Sequence, residues 1–200
     1  MKKLTFAFIA FLGLGTVGAF AQDDKDDTHD VTIVIPEVAI LDIESLLSKN
    51  FNFAFKPDGT AAIGEAGKGL IADPGNNVPA LWLNYTSVVT GPGGADPTRN
   101  ISVFASSVVP GVTMKVTAGA PIITTGGGTP GTPTAQVTIG LGPLASATPI
   151  ITGIGSVFTG DGVGAGSPLT YAIDVPAASF GSLVAGSTTV TLTYTLSDNI

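Results

Sequence analysis

From Thr189 to Leu196 threonine alternates without a break with a large apolar residue. Val190, Leu192, Tyr194 and Leu196 hold one parity, and Thr189, Thr191, Thr193 and Thr195 the other. A period of two divides residues between the two faces of a β-strand, whereas a helix would scatter both sets around its axis. One face therefore suits a core and the other suits water. The pattern recurs upstream. Leu81, Leu83 and Tyr85 alternate with Trp82 and Asn84; Ile101, Val103 and Ala105 with Ser102 and Phe104; Val112, Met114 and Val116 with Thr113, Lys115 and Thr117. Further runs are Val137, Ile139 and Leu141, then residues 150–158, then Leu169, Tyr171, Ile173 and Val175. Between them, clusters of Gly, Pro, Asn and Thr at 73–79, 91–100, 124–134 and 160–168 read as turns and loops. Such spacing predicts an all-β chain of about eight to ten strands, an antiparallel β-sandwich or barrel.

The region before residue 80 is less regular. Residues 31–43 (VTIVIPEVAILDI) are apolar and β-branched, but Pro36 has no N–H for a sheet ladder and implies an edge strand or a bend. Residues 44–49 are the one helix-friendly stretch nearby. Phe51, Phe53 and Phe55 alternate with Asn52 and Ala54, which puts three rings on one face of a strand, and residues 56–59 (KPDG) supply its turn.

The first 21 residues stand apart from this pattern. Lys2 and Lys3 precede an apolar run from Leu4 to Phe20, and Ala19-Phe20-Ala21 offers small residues where signal peptidase reads them. Residues 1–21 are thus expected to be a cleaved signal peptide, residues 22–30 (QDDKDDTHD) an acidic flexible leader, and residues 31–200 a single β-sandwich domain. The expected location is periplasmic or extracellular, with no membrane insertion of the mature chain.

Removing the signal leaves six basic side chains against fifteen acidic ones. The remaining cations, Lys25, Lys49, Lys56, Lys68, Arg99 and Lys115, are scattered, so neither a nucleic-acid footprint nor an anionic membrane surface is expected as partner. Beyond residue 100 the charges are Lys115, Asp161, Asp174 and Asp198, and the Thr-rich surface there either meets water or is covered.

The chemistry-bearing residue types are few. No Cys is present, which removes thiolate metal sites, disulfides and a cysteine nucleophile. The sole His, His29, lies in the leader, where no rigid Ser-His-Asp array is expected. The GEAGKG stretch at 64–69 resembles a Walker loop but has Gly69 where a hydroxyl must hold magnesium. The Gly160, Gly162, Gly164 spacing approaches a dinucleotide fingerprint, yet Gly166, Ser167 and Pro168 follow and no helix opens there. A glycosidase needs a pair of carboxylates. The candidates are Glu37, Asp42, Glu44, Asp58, Glu65, Asp73, Asp96, Asp161, Asp174 and Asp198, mostly beside turn formers. The carbonyl-rich loop at Asp161 is the one place suited to a calcium ion, with an empty loop the favoured reading; no cofactor is expected otherwise. Asn84-Tyr85-Thr86 and Asn100-Ile101-Ser102 match the glycosylation tripeptide by chance in a Thr/Ser-rich chain. Phe51, Phe53, Phe55 and Trp82 read as core rather than as a ligand platform.

Residues 185–198 (AGSTTVTLTYTLSD), a Gly turn followed by the Thr/Val/Tyr strand, resemble the closing hairpin of secreted bacterial β-sandwich subunits of the spore-coat-U-like and chaperone–usher pilin families. The chain departs from both in lacking Cys and in holding Tyr194 farther from its end. The resemblance implies an immunoglobulin-like or pilin-like sandwich and strand complementation between subunits. Val31, Ile33 and Ile35, alternating after a flexible leader, are the candidate strand-exchange segment; the alternative is that they form the first strand of their own sheet. The expected function is a non-enzymatic structural or adhesive cell-surface protein, with self-association or association with other surface subunits as its expected mechanism. The competing expectation is a carbohydrate-binding module that contacts a glycan through Trp82 or Tyr171.

Overall fold

The computed structural model describes residues 27–59, 64–139 and 147–199. The expected signal peptide and residues 22–26 of the leader lie outside these residues. The chain divides into two units at Val34/Ile35. In the first, residues 27–34 carry neither helix nor strand, and Val31, Ile33 and Val34 are 72, 80 and 82% exposed.

The second unit is all-β and its sheets are antiparallel. Its strands are β1 (Val38–Ser45), β2 (Phe55–Pro57), β3 (Leu70–Ala72), β4 (Leu81–Val88), β5 (Arg99–Ala105), β6 (Thr113–Ala118) and β7 (Gly127–Gly128). They continue with β8 (Thr132–Pro133), β9 (Val137–Ile139), β10 (Thr148–Ile154), β11 (Val157–Phe158), β12 (Ser167–Asp174) and β13 (Leu192–Asp198). One 3-10 turn, Ala177–Ser182, interrupts them.

The larger sheet is organised around β4. Along one edge β1 pairs with its whole length, from Val38 opposite Val88 to Ser45 opposite Leu81. The other edge is shared: β12 takes Leu81–Leu83 and β11 takes Thr86 and Ser87. Beyond β12 come β6 and β9, and beyond β11 comes β7. The smaller sheet runs β13-β5-β10-β8, and β2 pairs with β3 as a separate hairpin.

Both sheets contribute to one core. Leu81, Leu83 and Tyr85 of β4, Val116, Ile139 and Leu169 come from the larger sheet; Ile101, Val103, Ile150, Ile151 and Ile154 come from the smaller. Each fully buried Leu or Ile contributes about 1.5–3 kcal/mol of transfer free energy. Two antiparallel sheets sharing a core are consistent with a β-sandwich. At the β4–β12 junction Gly166 has φ +71° and lies so close to the Leu83 carbonyl that a Cβ would overlap it. Only a glycine brings β12 into register there.

Several local expectations are corrected. The apolar run at 31–43 yields strand only from Val38, because β1 already uses every residue of β4 and the preceding residues have no partner left on it. Residues 44–49 form no helix: Glu44 and Ser45 finish β1, and the chain then turns, with Ser45 Oγ donating to the Ser48 carbonyl. Phe51 and Phe53 lie outside any strand, and Lys56 and Pro57, expected in a turn, belong to β2. The loop at 124–134 contains the two-residue strands β7 and β8, and the loop at 160–168 ends early, since β12 begins at Ser167.

Candidate functional site

The two aromatics singled out as ligand contacts lie on opposite faces of the larger sheet. Trp82 stands opposite Pro168 in the β4–β12 ladder, on the face away from Leu81 and Leu83. Tyr171 shares the inward parity of β12 with Leu169 and packs against the core. Its ring lies 5.0 Å from that of Phe51, and its hydroxyl oxygen is 2.7 Å from that of Tyr194 on β13. Burial pushes the Tyr171 phenol up to about 12 and raises that of Tyr194 further, the neighbouring phenol adding to the effect. Tyr171 therefore bridges the sheets, and the two aromatics do not form one platform.

Several candidate carboxylates make ion pairs or turn contacts, and two of them meet at one guanidinium. Asp42 meets Lys49 at 3.1 Å, and the ammonium together with the Ile43 N–H holds its carboxyl below the usual range. Glu65 meets Lys68 at 2.9 Å, and Asp73 accepts a 2.8 Å hydrogen bond from the Gly75 N–H. Glu37 and Asp198 both face Arg99. The exposed Asp161 sits in a loop tied to β4 by Asn84 Nδ2, which donates to the Gly162 carbonyl at 2.9 Å. Asn84 is only 6% exposed, so its glycosylation tripeptide is inaccessible. Among the described residues, no three of His, Cys, Asp and Glu converge as metal ligands. His29 is exposed in the first unit.

Arg99 was legible only as one of several scattered cations, yet its side chain is 4% exposed. Its Nε donates to Asp198 Oδ1 at 2.8 Å and its Nη2 to Glu37 Oε2 at 3.3 Å. Nη1 donates to the carbonyls of Val38 at 2.6 Å and Val88 at 2.8 Å, and to Ser87 Oγ at 3.2 Å. A buried guanidinium needs this many acceptors. The result fastens the start of β1 and the end of β4 to the end of β13.

Among the described residues, two surface features bear on binding. The first is the outer edge of β13, on which no described strand pairs. Leu192, Tyr194 and Leu196 are half-buried there while Thr193, Thr195 and Ser197 are exposed. The outer edge of β1 is guarded by Asp42 and Glu44, whereas residues 192–197 carry no charge. The second feature is a depression of about 440 Å³ between the segments 47–54 and 75–79, lined by Asn50, Phe51, Asn52, Asn77 and Pro79 among others. Its walls are fixed: Asn76 Oδ1 accepts from the Ala54 N–H at 2.7 Å, and its Nδ2 donates to the Ala54 carbonyl at 3.0 Å.

No protein-family model matches the chain, and the searches of curated proteins and of solved structures found no match.

Proposed function

We propose that the chain is a secreted, non-enzymatic structural or adhesive cell-surface protein that associates with its own copies, its two sheets forming the layers of an immunoglobulin-like or pilin-like sandwich. The observation that carries this reading is the exposure of Val31, Ile33 and Ile35, at 72, 80 and 76%. Alternating β-branched residues left in water are costly, and pairing with a sheet edge covers them while satisfying their backbone groups. The outer edge of β13 is the suited acceptor, being uncharged over residues 192–197, about as long as the segment, and lined by half-buried Leu192, Tyr194 and Leu196. The resemblance of residues 185–198 to pilin-type closing hairpins points the same way.

Light scattering and electron microscopy of the chain without residues 1–21 test this. Oligomers that grow with concentration are expected. The triple variant Val31→Asp, Ile33→Asp, Ile35→Asp is expected to stay monomeric with unchanged β-sheet circular dichroism. A wild-type protein that is monomeric at every concentration would overturn the proposal.

A further inference from the structure

We infer that the depression between residues 47–54 and 75–79 is a binding site for a neutral carbohydrate. Its lining shares no residue with Val31–Ile35 or with β13.

The lining specifies the ligand class. It contains no charged side chain, so an ionic ligand finds no counterion there. The side-chain amides of Asn50, Asn52 and Asn77 make no hydrogen bond to any other described residue, and each offers a carbonyl acceptor beside an NH2 donor. That pairing suits adjacent sugar hydroxyls, which donate and accept at one carbon spacing. Phe51, Pro79 and the 88%-exposed Leu47 supply the apolar surface that a sugar ring's C–H face requires. A volume of about 440 Å³ admits a small saccharide.

The site is built before any ligand arrives. The Asn76–Ala54 pair of hydrogen bonds locks one wall to the other, joined by a 2.9 Å bond from the Asp73 N–H to the Ala54 carbonyl. Asp73 also caps its own turn through the Gly75 N–H. The Phe51 ring is held edge-on by Phe53 at 5.4 Å and against Tyr171 at 5.0 Å, and Tyr171 is bonded to Tyr194. Rigid walls reduce the ordering cost of binding. A peptide is the less suited occupant. Both lining segments lie outside any strand, so they present no ladder for strand addition, and no charge is present to recognise a terminus.

The test is a nuclear magnetic resonance titration of the chain without residues 1–21 with neutral trisaccharides (maltotriose, cellotriose, mannotriose and chitotriose), with sialyllactose and with a Gly-Ser peptide. At least one neutral trisaccharide is expected to shift the side-chain amide signals of Asn50, Asn52 and Asn77 saturably. Asn52→Ala and Asn77→Ala, both exposed positions, are each expected to weaken that binding about tenfold while leaving the backbone spectrum elsewhere unchanged. Trp82→Ala, on another surface, is expected to leave it intact. The inference is overturned if no neutral trisaccharide shifts these signals, if only sialyllactose or the peptide does, or if binding survives both Asn substitutions. The titrated chain also carries Val31→Asp, Ile33→Asp and Ile35→Asp, so that loss of the amide signals through self-association is separated from absence of saccharide binding.

Discussion

The hydroxyl oxygens of Tyr171 and Tyr194 lie 2.7 Å apart and join a strand of the larger sheet to the edge strand of the smaller. One phenol donates and the other accepts, so at least one of the two must stay protonated for the bond to persist. The pair also supports the Phe51 ring from behind.

The alkaline limit of stability follows from these phenols. Burial pushes Tyr85 and Tyr171 up to about 12, and Tyr194 is raised further. Below pH ~10 all three are neutral whether the chain is folded or not, and their contribution is complete. Above pH ~10 only the unfolded chain ionises, so stability falls by about 1.4 kcal/mol per pH unit for each tyrosine until the folded values are reached. Phenolate absorbance is expected to stay absent at pH 10 in the folded protein and to rise together with loss of the β-sheet signal. Gradual ionisation near pH 10 with intact sheet structure would contradict this.

Arg99→Met should be among the most damaging single substitutions. It strips donors from the Val38 and Val88 carbonyls and leaves Glu37 and Asp198 without their cation, at a cost of about 3 kcal/mol. Asp198→Asn removes one half-exposed partner and is expected to cost about 1 kcal/mol or less. Urea denaturation curves measure both, and equal midpoints for the two variants would show that the guanidinium does not fasten the strands.

Glycines 164 and 166 separate conformation from contact. Both have positive φ, +86° and +71°, but open space surrounds Gly164 while Gly166 abuts the Leu83 carbonyl. Gly164→Ala is expected to cost about 1–2 kcal/mol from backbone strain alone. Gly166→Ala must also push β12 off β4 and should cost several times more or prevent folding. Thermal unfolding of the two variants reads the difference, and equal effects would contradict the close approach.

What the sequence revealed and what it hid have physical reasons. The alternation at 81–85, 101–105 and 190–196 was readable because side-chain parity is local, and it matches burial in β13 and, apart from the buried Asn84 and Ser102, in β4 and β5. The same parity at Val31, Ile33 and Ile35 predicts a strand equally well, but whether such a segment pairs depends on how many residues of β4 are free, which is a property of the whole sheet. The rings at Phe51 and Phe53 mimic a strand for the same reason, although Phe51 packs on Tyr171 and Phe53 on Phe51. Arg99 is one cation in a turn-rich stretch, and nothing nearby in sequence announces that acceptors from 37–38, 87–88 and 198 converge on it. Asn52 and Asn77 likewise meet only because Asn76 folds one loop onto the other.

Self-association through Val31–Ile35 has a direct covalent readout, because the chain contains no cysteine. Thr32 has the parity opposite to Val31 and Ile33, so on a neighbour's β13 edge it would share a face with the exposed Thr193 and Thr195. Mixing Thr32→Cys chains with Thr195→Cys or Thr193→Cys chains under mild oxidation is predicted to give disulfide-linked heterodimers, with far less product against the control Thr170→Cys on β12. If the Thr193 and Thr195 variants cross-link no better than the Thr170 variant, the segment does not pair with β13.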